Sequence, residues 1–183
     1  MDKSAIEVHT RIGNDPTYWV ITARNLFAAS KAVQTERERV QSTLKPGPAP
    51  DIIFTVWTHV MLTAFGIECF IKAIWVRKGH QLARDGKYVC MTNKEKPREL
   101  VKLCDIARIP LEERETDALQ RMSDIGKSIG RYPIGRTAET DSRGRTGGWS
   151  STDDRIIENF ITKLKAQIRN GLSKARTKPD GHG

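Results

Sequence analysis

Two charges stand inside the most apolar stretch of this 183-residue chain, and they are the residues best placed for chemistry. Glu68 and Lys72 are four residues apart in Ile52–Val76, so a helix stacks them on one stripe, where they can pair. A carboxylate in such a stripe is costly unless it is paired and hydrogen-bonded, so a further cation is expected to reach it from another element. Arg131, with Tyr132 beside it, is the candidate, because it begins the loop after a later helix. The set Glu68, Lys72, Arg131 and Tyr132 reads as a structural polar lock or as the lining of a ligand pocket.

Other catalytic signatures are missing. The four histidines, His9, His59, His80 and His182, have no partner at metal-binding spacing, and no metal or cofactor is expected. His59, on the apolar stretch, reads as a satisfied core residue. Gly126-Lys127-Ser128 resembles the end of a phosphate-binding loop, but Arg121 stands where its first glycine is required, and a helical pattern precedes it.

The net charge is +9, and it is unevenly spread. From Arg77 to Arg108 there are nine basic and four acidic residues, Lys87, Lys94, Lys96 and Arg98 among them. Between Gly130 and Ser150, Arg131, Arg136, Arg143 and Arg145 alternate with five glycines. Such a balance favours a polyanionic partner without specifying a sequence. Cys69, Cys90 and Cys104 lack a paired spacing and read as reduced thiols of a cytoplasmic protein.

The elements that must position these groups are helical. Ile52–Val76 would form a helix about 38 Å long, apolar on all sides, and hence wrapped by neighbours. Its charge-free part, 16 residues from Ile52 to Ile67, is short of the roughly 20 needed to span a bilayer, so a buried helix over 51–79 is expected rather than a membrane anchor. Before it, Asp15-Pro16 opens a helix over 16–42, and the Lys45–Pro50 segment stops it. After it, residues 80–96 read as a hairpin or an ordered loop. Pro97 opens a third helix with Leu100, Leu103, Cys104 and Ala107 on one face, and a fourth carries Ala118, Met122, Ile125 and Ile129. Ser150–Asp154 supplies a cap and first-turn acids for a last helix with Ile157, Phe160, Ile161, Leu164 and Ile168 inward, and Gly171 reads as its stop. The expected fold is all-α, an up-and-down bundle of four to five helices over 1–171, with 172–183 a basic disordered tail.

Three stretches carry a family resemblance. Ala64–Ala73, AFGIECFIKA, resembles the second-helix pattern of HEPN-type helical domains. Arg98–Leu103 stands where such domains often carry a His-x-Leu segment, and Ser128–Pro133 is similar to the Gly-Arg-Tyr-Pro ending of their fourth helix in bacterial members. The resemblance implies a helical bundle, a homodimer, and a setting of RNA cleavage, toxin–antitoxin pairs or phage defence. Active members use an Arg-x4-6-His motif. Here only Arg176 to His182 has that spacing, and Pro179 and Gly181 make the segment a poor helix. The reading that follows is a non-catalytic module binding RNA or a partner protein. Its alternatives are a dimeric ribonuclease toxin, with Arg77 and His80 or Arg176 and His182 as catalytic candidates, and a small-ligand sensor built on the polar pocket.

Overall fold

The computed structural model describes residues 3–43, 52–91, 99–127 and 148–176. Among them are six helices: α1 (Lys3–Asn14), α2 (Pro16–Thr43), α3 (Ile52–Arg77), α4 (Leu100–Ile106), α5 (Glu113–Lys127) and α6 (Ser151–Arg176). One small hairpin, β1 (Ala83–Arg84) and β2 (Lys87–Tyr88), follows α3.

The all-α bundle stands, and α3 is its central rod. α2 lies along it, and α4, α5 and α6 pack against its other sides. Val60, Ile67, Phe70, Ile71 and Ala73 are all buried, so every side of the helix has a neighbour. Leu100 and Cys104 from α4, Leu119, Met122 and Ile125 from α5, and Phe160 and Leu164 from α6 complete the core. Among the described residues, Val56–Arg77 is apolar and long enough to cross a membrane, and it lies mostly buried inside the bundle. The mean hydropathy that suggests a membrane is here the signature of a core helix.

At Gly66 the backbone of α3 has Phe27 of α2 against it, where an added Cβ would stand 2.5 Å from the ring. Only glycine permits that approach, and it sets the spacing of α2 from α3.

The local starts and stops follow from side chains. Asp15 caps α2 by accepting the Thr17 amide at 2.8 Å, as the Asp-Pro pair implied. Ser150 and Asp153 form a reciprocal box at the start of α6: the Ser150 amide donates to Asp153 Oδ2 at 2.9 Å, and the Asp153 amide donates to Ser150 Oγ at 3.2 Å. The Leu100 amide, at the start of α4, donates to Ser123 Oγ at 3.1 Å, so α5 caps its neighbour.

Three boundaries differ from the sequence expectation, and of the two alternatives for the segment after α3 the structure has the hairpin. A helix, α1, precedes the expected first one; none of its residues is buried, so it shows no core pattern to read. Residues 83–88 form a hairpin, because Asp85 (φ 52°) and Gly86 (φ 72°) take the two left-handed positions of a tight turn. α4 starts at Leu100 rather than at Pro97, which with Arg98 lies outside the described residues. α6 runs through Gly171 to Arg176, where a stop and a disordered tail were expected. A single glycine costs a helix about 1 kcal/mol and does not by itself end one.

Candidate functional site

Between α2 and α6 the bundle leaves a groove floored by α3. Its larger section is a cavity of about 420 Å³ lined by Phe27, Ser30, Lys31, His59, Thr63, Trp149 and Asp154 among others. A smaller section of about 210 Å³ continues it past Arg24, Phe70, Lys165, Ile168 and Arg169, and Thr162 and Lys165 line both. From Val20 to Gln34 the wall formed by α2 is about 21 Å long. Helical periodicity produces this face: Val20, Arg24, Phe27, Lys31 and Gln34 recur every three or four residues.

The groove has a basic rim and a polar base. Arg24 and Lys31 on α2 and Lys165 and Arg169 on α6 are exposed. Glu158 is the exposed acid that accompanies them along the cavity.

At the base, Ser30, His59 and Thr63 are buried and form one network with Asp154. Ser30 Oγ lies 2.7 Å from His59 Nδ1 and 2.7 Å from Thr63 Oγ1. His59 Nε2 lies 3.2 Å from Asp154 Oδ1, which also accepts the Trp149 indole N–H at 2.6 Å. The same residue types make a hydrolytic triad when a serine meets Nε2 and a carboxylate meets Nδ1. Here the ring is turned the other way, and the serine hydroxyl also faces the His59 carbonyl at 3.0 Å. The network ties α2, α3 and the start of α6 together.

Both first-turn acids of α6 are held ionised. Burial alone would raise Asp154, but the bonds from His59 and Trp149 outweigh it and hold the carboxyl below its ordinary value. For Asp153 burial likewise pushes up, and Ser150 and the Arg121 guanidinium bring it down. A carboxyl depressed on folding contributes stability that is fully present above its unfolded value, about 3.9, and lost as pH falls through the folded one. Thermal melts taken from pH 6 down to pH 2 are therefore expected to lose stability below about pH 4. Asp153→Asn and Asp154→Asn should each flatten that acid limb, and an unchanged profile would show that the carboxyls do not carry it.

The residues singled out from the sequence lie elsewhere. Glu68 and Lys72 pair at 2.6 Å, as their spacing implied. The Lys72 ammonium also sits over the Trp19 and Tyr88 rings, 5.0 and 5.2 Å from their centres. This is a lock between α3, α2 and the hairpin, away from the groove. The Arg77 guanidinium donates to the Ile168 carbonyl of α6, and Lys78 Nζ donates to the Ala107 carbonyl after α4. These two bases of the 77–108 cluster join elements. His80 is exposed and stacks on Trp75, ring centres 3.6 Å apart. Lys87 is exposed on β2. Lys94, Lys96, Arg98, Arg131, Tyr132, Arg136, Arg143, Arg145 and His182, and the side chain of Arg176, lie outside the described residues.

Cys69 and Cys104 are buried, and burial pushes their thiols up to about 11 and about 12, so they are packing residues rather than nucleophiles. Among the described residues no group of His, Cys, Asp and Glu could hold a metal ion.

The fold and groove define a six-helix bundle, over the described residues, with a polar cavity under a basic rim. No protein-family model, no curated protein and no solved structure matches the chain.

Proposed function

We propose that this protein is a non-catalytic, HEPN-like helical module of the cytoplasm that binds single-stranded RNA along the α2–α6 groove. One observation carries the reading: Arg24, Lys31, Lys165 and Arg169 border a groove whose interior offers the rings of Phe27 and Trp149. A basic track that follows a backbone, with aromatic rings on which bases stack, is the common design for single-strand binding. The net charge of +9 acts in the same direction over longer range.

The test is a titration of a labelled single-stranded RNA between about 50 and 200 mM salt. With four cations engaged, the logarithm of the affinity should fall with that of the salt concentration at a slope of about −3. Removing two rim charges, as Lys165→Ala with Arg169→Ala, should make the slope shallower by about 1.4 and weaken binding to every sequence alike. No binding at the lowest salt, or a double variant with the wild-type slope, would remove the groove from consideration.

A further inference from the structure

The base of the groove carries more than phosphate binding needs. A carboxylate there repels phosphate, yet Asp154 lines the cavity together with three buried hydrogen-bonding side chains. Their proton balance shows what they offer a ligand. The Trp149 indole is a donor only, so it must give its proton to Asp154 Oδ1. His59 Nε2 faces the same oxygen at 3.2 Å, and on the other side of the ring Nδ1 lies 2.7 Å from Ser30 Oγ and 3.2 Å from the Ser30 carbonyl. The single Ser30 proton is shared among Nδ1, the His59 carbonyl at 3.0 Å and Thr63 Oγ1 at 2.7 Å. Both bonds to Asp154 fall on Oδ1, so Oδ2, which accepts no hydrogen bond among the described residues, is left as an open acceptor.

An acceptor of this kind calls for a ligand edge that donates, between aromatic walls and below a cationic rim. Phe27 and Trp149 supply the walls, and Lys31 and Lys165 the rim. At about 420 Å³ the cavity is within the size range that encloses a small organic group. We infer that the larger cavity of the groove is a base-reading pocket, taking one unstacked base of the bound strand through its exocyclic amino group and so preferring cytosine to uracil. The inference rests on the groove being an RNA site as proposed above. Cytosine presents an N4 amino donor where uracil presents the O4 acceptor, and a carboxylate oxygen accepts from the first and repels the second. The reading residue is Asp154; Thr63 lines the same cavity, and Ser30 and His59 are positioning residues of the network behind it.

The experiment compares cytidine and uridine ten-mers of RNA by fluorescence anisotropy at low salt, on the wild-type protein and on two near-isosteric variants. Wild type should bind the cytidine strand at least about tenfold more tightly, the low end for one well-made base contact. Thr63→Val removes a hydroxyl from the cavity lining and should reduce that ratio by weakening the cytidine strand. Asp154→Asn keeps an oxygen for His59 and Trp149 and turns an amide N–H₂ toward the cavity, so it should abolish or reverse the preference. A thermal melt of each variant reports whether its fold is intact, and Thr63→Val decides the matter if Asp154→Asn does not fold.

Equal binding of the two strands by wild type would overturn the base pocket and leave the groove reading standing. If neither strand binds, the groove reading falls, and the pocket is tested alone with cytidine and uridine monophosphates by tryptophan fluorescence, using Trp149→Phe to isolate the signal. Quenching by the cytidine compound only would keep the pocket. Quenching by neither, or by both alike, would overturn it.

Discussion

Replacing Glu68 with alanine is expected to lower the unfolding free energy by about 3–5 kcal/mol, the range for stripping one partner from a buried ion pair. The two side chains are only 17% and 13% exposed, for Glu68 and Lys72 respectively, and they meet at 2.6 Å. Without the carboxylate, the ammonium would stay beneath Trp19 and Tyr88 with no counter-charge, and ring faces alone compensate a desolvated cation only in part. Burial by itself would lower the Lys72 pKa, but the Glu68 charge and hydrogen bond and the adjacent Tyr88 outweigh it and hold it above its ordinary value. The sign follows. This group's contribution is fully present below the unfolded value of about 10.4 and is lost as pH rises through the folded one. Urea denaturation at neutral pH would measure the effect. A loss below about 1 kcal/mol, the size of an exposed pair, would show that the charges are solvated and that the lock is absent. Glu68→Gln combined with Lys72→Met should recover most of the loss, because a buried pair replaced as a unit leaves no stranded charge.

Phe70→Ala is expected to cost about as much, some 3–5 kcal/mol, by a different route. The ring is 1% exposed and meets Phe27 edge-on, centres 5.2 Å apart and planes 56° from parallel. Removing it opens a void under the floor of the groove and deprives Phe27 of a surface that holds it alongside the bare backbone at Gly66. Phe70→Leu should retain much of the stability, since the residual void is smaller. A Phe70→Ala protein that melts within a few degrees of wild type would mean that neighbouring helices collapse into the space.

The architecture was largely readable from residue patterns because the strongest patterns are those of burial. An all-round apolar helix must be central, and α3 is. Asp15 and Ser150–Asp153 announce helix starts, since capping is chemistry between residues two or three apart. The groove was not readable in the same way. Lys31 and Lys165 become neighbours only because α2 and α6 share α3, and neither carries a local signal. His59 was read as a satisfied core residue, and it is buried with both ring nitrogens bonded. That it also lines a cavity depends on what α2 and α6 leave uncovered. A histidine and a threonine four apart on a mostly apolar helix were a hint. In the basic stretch after residue 77, Arg77 and Lys78 are engaged by carbonyls of α6 and of the turn after α4, a distinction that charge counting does not make.

α1 buries none of its own residues, and its ties to the body are few: the Asn14 amide group bonded to Leu82 and Ala83, Thr10 to Gly86, Gly13 packed on Ala83, and the Gly13 carbonyl accepting the Trp19 indole N–H at 2.9 Å. Apart from the Trp19 bond to α2, they end on the hairpin or the residue before it, and the hairpin's own strands are two residues long. The chain therefore divides energetically into a cooperative body and a thin outer cover made of α1 and the hairpin, which can come away together while the body persists. Tyr88 belongs to that cover, so each excursion would bring water to the Lys72 ammonium before anything else in the interior was wetted.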